Sequence, residues 1–139
     1  MSDPNDDIVR IGIIGITGDF DNKEIRADLQ AAFADITATH PDCDYSVTVL
    51  LDDRTSQLVG QLASQRGWRV LGITRRGEER YDCTSVDELR LVSRGSSITR
   101  VLTQEADVLV CLDNSHRNRL LRSGFAEDGG EVTELTTAA

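Results

Sequence analysis

The chain has 139 residues, a length that suits one compact domain with a core of ordinary size. It is 39% hydrophobic and 28% charged, and no apolar run reaches the roughly 18 residues of a membrane span, so a soluble globular protein is expected. A net charge of −9 argues against a duplex-DNA footprint, which needs a basic face or stripe.

The opening segment, residues 1–7, is acidic and polar, is expected to be disordered, and has none of the features of an export signal. A cytoplasmic location is the corresponding expectation. The three cysteines, Cys43, Cys83 and Cys111, are scattered, and His40 and His116 lie far apart. The paired spacing of a structural zinc site is missing, no metal site is expected, and Cys111 reads as a small core residue.

Ile8 to Ile14 is a β-branched run with little alternation, the pattern of a strand buried on both faces. Gly15 and Gly18 then permit a tight turn. A helix follows with Ile25, Leu29, Ala32, Phe33 and Ile36 on one face, and Asp21 or Asn22 suits its N-cap. Such a strand, turn and helix start form the usual mouth of an α/β ligand site, where helix N–H groups meet an anion.

Tyr45 to Leu51 is a second strand. Asp52 to Ser56 follows as a solvated loop with Thr55 or Ser56 capping a helix through Leu58, Val59, Leu62 and Ala63, and Gly67 ends that helix as a C-terminal cap. Arg69 to Thr74 is the third strand. Arg75 to Ser93 reads as a long polar loop with short structure around Val86 to Val92. Ser96 to Gln104 is helical, capped by Ser96 or Ser97. Asp107 to Leu112 is a buried strand, Ser115 to Phe125 a short helix, and Glu131 to Leu135 a last, edge strand, before a frayed tail over 136–139.

Strand–helix alternation implies βαβ units. The expected fold is a single Rossmann-like three-layer α/β/α domain, residues 8–135, around a five-stranded, mainly parallel sheet. Right-handed crossovers put the loops at 17–22, 52–56, 74–77 and 113–117 on one sheet edge.

Several polar groups fall in those loops. Gly12-x-x-Gly15-x-x-Gly18 has the glycines of a dinucleotide fingerprint at an altered first spacing, with Asp52 or Asp53 as the ribose-binding acid; alternatively these glycines let the first helix pack closely on the sheet. Thr17 is free to donate to a phosphate or base, and Asp19 suits a ribose or base contact. Arg54 can pair with a phosphate. Asp113, Ser115 and His116 are too close in sequence for a hydrolytic triad and lack a nucleophile elbow, which leaves capping by Asn114 or Ser115 and ligand contacts from His116 and Arg117. Arg94, Ser96 and Ser97 form one more polar cluster able to seat a phosphate.

The stretches IGIIGITGDFDN, HPDCDYSVTVLLDDRTSQLVGQLASQRGWRVLGIT and ITRVLTQEADVLVCLD resemble the SLOG superfamily, which joins the DNA-processing protein A fold to the LOG nucleotide hydrolases. The resemblance spans roughly residues 8 to 135 and carries over to the first turn, Thr17 to Asp21, and to Arg100. Members usually have a glycine pair after the second strand, where this chain has Asp52-Asp53. They also have Gly-Gly-x-Gly-Thr and then a glutamate after the fourth strand, where it has Asp113-Asn-Ser-His-Arg117.

The resemblance and the loop residues together imply a nucleotide-type binding module of SLOG-like fold, acting as a sensor or regulator without catalysis, in which Gly15, Thr17, Gly18 and Asp19 of the first turn hold the ligand, helped by Arg54, Asn114 and Arg117 read from the loops. No particular cofactor is indicated. One alternative is an N-glycosidase using Asp19, Asp52 or Asp53. Another is an oligomeric scaffold with a vestigial pocket, self-associating through Leu120, Leu121 and Phe125. A homo-oligomer, a small-molecule ligand and no membrane partner complete the expectations.

Overall fold

A computed structural model describes residues 8–14, 21–51, 55–76, 86–93, 95, 97–112, 124, 125, 127 and the backbone of 131–134. Among the described residues six strands and three helices follow in the order β1 (Ile8–Ile14), α1 (Asn22–Thr39), β2 (Asp44–Leu50), α2 (Ser56–Gln65), β3 (Arg69–Arg75), β4 (Glu88–Val92), α3 (Ile98–Glu105), β5 (Val108–Cys111) and β6 (Glu131–Glu134). All pairings are parallel, and the strands lie side by side as β4-β3-β2-β1-β5-β6. The α/β class and the parallel sheet are as the sequence implies. The strand beyond the expected five is β4, which occupies the stretch read only as short structure within a loop.

Alternation along the buried strands divides the core between the two faces of the sheet. Ile11, Ile13, Val47, Val49, Val70, Val108 and Val110 point to one face, where Ile25, Leu29, Phe33 and Ile36 of α1 and Leu58, Val59 and Leu62 of α2 cover them. Ile14, Leu50, Ile73, Leu109 and Cys111 point to the other, against Ile98 and Leu102 of α3. The sidedness follows from connection handedness. β1, β2 and β3 step outward across the sheet with α1 and α2 above it; the return from β4 to β5 runs the opposite way, so a right-handed crossover puts α3 below.

Local chemistry sets the helix ends. Asp21, extended at φ −88° and ψ 117°, caps α1 by accepting from the N–H groups of Lys23 (2.8 Å) and Glu24 (3.3 Å). Such a cap is worth about 1 kcal/mol. α2 ends in a Schellman motif: Gly67 at φ +76° lets its own N–H donate to Ser64 O and that of Trp68 to Ala63 O, both at 3.0 Å. Ser97 caps α3, accepting from Arg100 N at 3.3 Å.

Gly12 packs differently from either expectation for the first glycines. It sits inside β1, and a Cβ built there would lie 2.7 Å from Leu102 Cδ2 and 2.9 Å from Ala106 Cβ. The helix whose close approach it permits is α3, on the opposite face from α1. The expected last helix falls mostly on residues outside the described ones, Leu120 and Leu121 among them. Phe125 is half-buried against the α3-side core, and so contributes to packing there.

Candidate functional site at the carboxyl edge of the sheet

Because every strand runs the same way, the carboxyl ends of β1, β2, β3 and β5 share one edge, as expected from the connection rule. Strand order reverses between β1 and β5: the chain leaves β1 toward β2 on one side and later returns to lay β5 on the other. Ligands of open α/β sheets bind outside the strand ends at such a reversal, where successive connections diverge to opposite faces and leave a crevice. Here the two strands end in register, with Ile14 paired to Cys111 and Leu112 N donating to Ile14 O at 2.9 Å. On the far side of β1, Leu51 N donates to Ile73 O at 3.0 Å and closes the ends of β2 and β3.

The seven residues assigned to the ligand from sequence, Gly15, Thr17, Gly18, Asp19, Arg54, Asn114 and Arg117, lie outside the described residues, as do Asp52, Asp53, Arg94, Ser96, Asp113, Ser115 and His116. The described flanks of these loops are informative in their own right. The α1 N-terminus does not offer all its N–H groups to an anion, because Asp21 already binds two of them and adds a negative charge there. An anionic group would be repelled at that helix start.

The α2 N-terminus is different. Thr55 occupies the cap position in helical conformation (φ −83°, ψ −8°) and its side chain makes no capping bond. Thr55 is 1% exposed and Ser56 8%, so these two residues are not solvated as their types suggest. Thr55 Oγ1 is buried without a hydrogen-bond partner among the described residues. An unmet hydroxyl of this kind costs about 1–3 kcal/mol. Unlike Asp21 at α1, Thr55 therefore does not cap α2 with its side chain. Sequence reading missed this, since Thr and Ser after a strand look like ordinary caps; the one available signal was the apolar run that continues directly past them from Leu58.

No family model matches the chain, and no curated protein matches it. Solved structures do. The molybdenum cofactor carrier protein of Chlamydomonas reinhardtii superposes with a TM-score of 0.67 at 16% identity, over 91% of this chain and 75% of that one. TM1055, a structural-genomics target, superposes with a TM-score of 0.64 at 20% identity, over 89% of this chain and 72% of that one. At such identities the likeness is one of fold. It is the Rossmann-like architecture derived above. Among the described residues, no cluster of His, Cys, Asp and Glu could hold a metal ion, and no helix is long and apolar enough to cross a membrane.

Proposed function

We propose that this chain is a SLOG-like binding module that holds a nucleotide or nucleotide derivative at the β1/β5 reversal and performs no chemistry on it. The observation that carries the reading is the topology: an all-parallel sheet in the order β4-β3-β2-β1-β5-β6 has one internal reversal, and the glycine-spaced turn follows the strand beside it. Gly15, Thr17, Gly18 and Asp19 after β1 and Asn114 and Arg117 after β5 belong, by chain connection, to the two strands that flank the crevice. Arg54 precedes α2, whose N-cap Thr55 makes no side-chain capping bond, and an anion there would gain from both the guanidinium and the helix N–H groups.

Two further points support binding without turnover. The glutamate that LOG-type hydrolases place after this strand has no counterpart in Asp113-Asn-Ser-His-Arg117. One protein of the same fold is by name a cofactor carrier, so the architecture is compatible with holding a small molecule intact.

A thermal-shift panel of nucleotides, nucleosides, NAD and ADP-ribose tests the reading, with Thr17→Val/Asp19→Ala as control. A ligand at ~100 times its dissociation constant stabilises by about 2.7 kcal/mol, several degrees for a domain of this size. A shift lost in the double variant, with the compound recovered unaltered, is the expected result. Recovery of free ribose or ribose phosphate would replace binding by glycosidic cleavage, and no shift with any compound would sink the proposal.

A further inference from the structure

β4 is the edge of the sheet on the side away from β6, and it carries neither proline nor lysine to hinder pairing with another chain. Its sequence is Glu-Leu-Arg-Leu-Val, and Leu89 and Leu91 are 48% and 41% exposed, the exposed large hydrophobic residues of the described chain. A hollow of about 550 Å³ runs along this edge, lined by Leu71, Arg76, Glu88, Leu89, Arg90 and Leu91.

The ladder determines which main-chain groups face outward. Val92 O accepts from Arg76 N at 2.9 Å, so Val92 turns its main chain toward β3. By alternation Arg90 and Glu88 do the same, while Leu89 and Leu91 present their N–H and C=O groups to the free edge. Glu88, Arg90 and Val92 pair with Leu71, Ile73 and Arg75 on the α3 side of the sheet, and Leu89 and Leu91 with Gly72 and Thr74 on the other.

We infer that β4 is a self-association edge, pairing antiparallel with β4 of a second copy of this chain about a two-fold axis at Leu89. In that register the two Leu89 residues exchange their outward N–H and C=O groups and stack side by side. Glu88 then faces Arg90 of the partner, and Arg90 faces its Glu88, at the closely spaced, non-hydrogen-bonded positions where cross-strand charge pairs interact best. A two-fold axis at Arg90 would oppose two arginines, and one at Leu91 would set Arg90 against valine. The sequence Glu-Leu-Arg is complementary to itself only about Leu89. Within one chain Glu88 meets Arg69 at 3.5 Å and Arg90 meets Glu105; both are partly exposed pairs, which contribute little and leave the carboxylate and guanidinium able to accept a second partner. The interface moves the expected homo-oligomer contact from the last helix to β4.

The charges supply a test that separates pairing from misfolding. Wild-type protein in sedimentation equilibrium up to millimolar concentration should show a reversible dimer. Glu88→Arg alone places arginines at both positions and Arg90→Glu alone places glutamates, so each should weaken self-association at least about tenfold while far-UV circular dichroism stays unchanged. Mixing the two single variants should restore a dimer containing one of each, and the swap Glu88→Arg/Arg90→Glu should dimerise with itself. A wild-type monomer throughout that range, or single variants that dimerise as tightly as wild type, would overturn the inference.

Discussion

Asp87 and Val70 exchange two hydrogen bonds across the start of β4: Val70 N donates to Asp87 Oδ2 at 2.8 Å and Asp87 N donates to Val70 O at 2.9 Å. Asp107 and Arg10 repeat the device at the start of β5, with Arg10 N to Asp107 Oδ2 at 2.9 Å and Asp107 N to Arg10 O at 2.7 Å. In each case an aspartate immediately before a strand extends the parallel ladder by one rung, its carboxylate standing where a neighbouring carbonyl would. Such a clip fixes the register in which the strand enters the sheet.

Asp87→Ala removes the acceptor from a half-buried N–H. Urea unfolding should show a loss of about 1–3 kcal/mol, with Asp87→Asn recovering part of it through the amide oxygen. An unchanged midpoint in the alanine variant would mean that the ladder alone sets the register.

Gly12→Ala drives a methyl group into Leu102 and Ala106 and should cost about 1–3 kcal/mol by overpacking. Leu102→Ala on its own leaves a cavity and costs about 2–5 kcal/mol. The double variant should lose clearly less than the sum of the two, because the new methyl group fills part of the space that leucine vacates. Strict additivity would refute the steric reading of Gly12.

Trp68 is the one tryptophan in the chain, and its ring lies 4.9 Å from Phe33 and 4.9 Å from Tyr45, with the Arg66 guanidinium 5.2 Å from its centroid. Intrinsic fluorescence therefore reports this cluster directly. Arg66→Ala should shift the emission and cost about 0.5–1 kcal/mol, the value of a solvent-exposed cation–π contact. A spectrum identical to wild type would show that the guanidinium does not dwell over the ring.

The Tyr45 hydroxyl donates to His40 O, and its pKa is raised above the ordinary phenol value by partial burial and, secondarily, by the nearby Cys43 and Asp42. A group held protonated by the fold contributes stability that is present below its unfolded pKa of about 10 and is lost as pH rises through the folded value. Tyr45→Phe should flatten the part of the alkaline decline in thermal midpoint that lies above about pH 10. Parallel declines in the two proteins would assign it to other groups.

The buried strands were readable because their β-branched runs are continuous, and α1 because its apolar spacing is regular. β4 escaped because Glu88-Leu89-Arg90-Leu91 sits in a polar stretch and is an edge strand, with charges on one face and exposed leucines on the other. Gly12 could be recognised as unusual within a strand, yet nothing local says that its neighbour is a helix some ninety residues away. The aspartate clips join residues 17 and 97 apart in sequence and leave no local pattern. For the candidate site, residue types suggested chemistry, but burial decided it at Thr55, where a capping hydroxyl turned out to be enclosed and unmatched.

The order in which strands join the sheet bears on how the chain is made. From β1 through β4 each new strand pairs with the one just before it, whereas β5 must return to the side of β1 left bare since the beginning. During synthesis the Ile11-Gly-Ile-Ile14 edge therefore stays open until residues 108–111 have emerged from the ribosome, and an apolar strand left in that state invites pairing with other nascent chains. Chains truncated before β5 should accumulate as aggregates, even though they carry the larger part of the sheet.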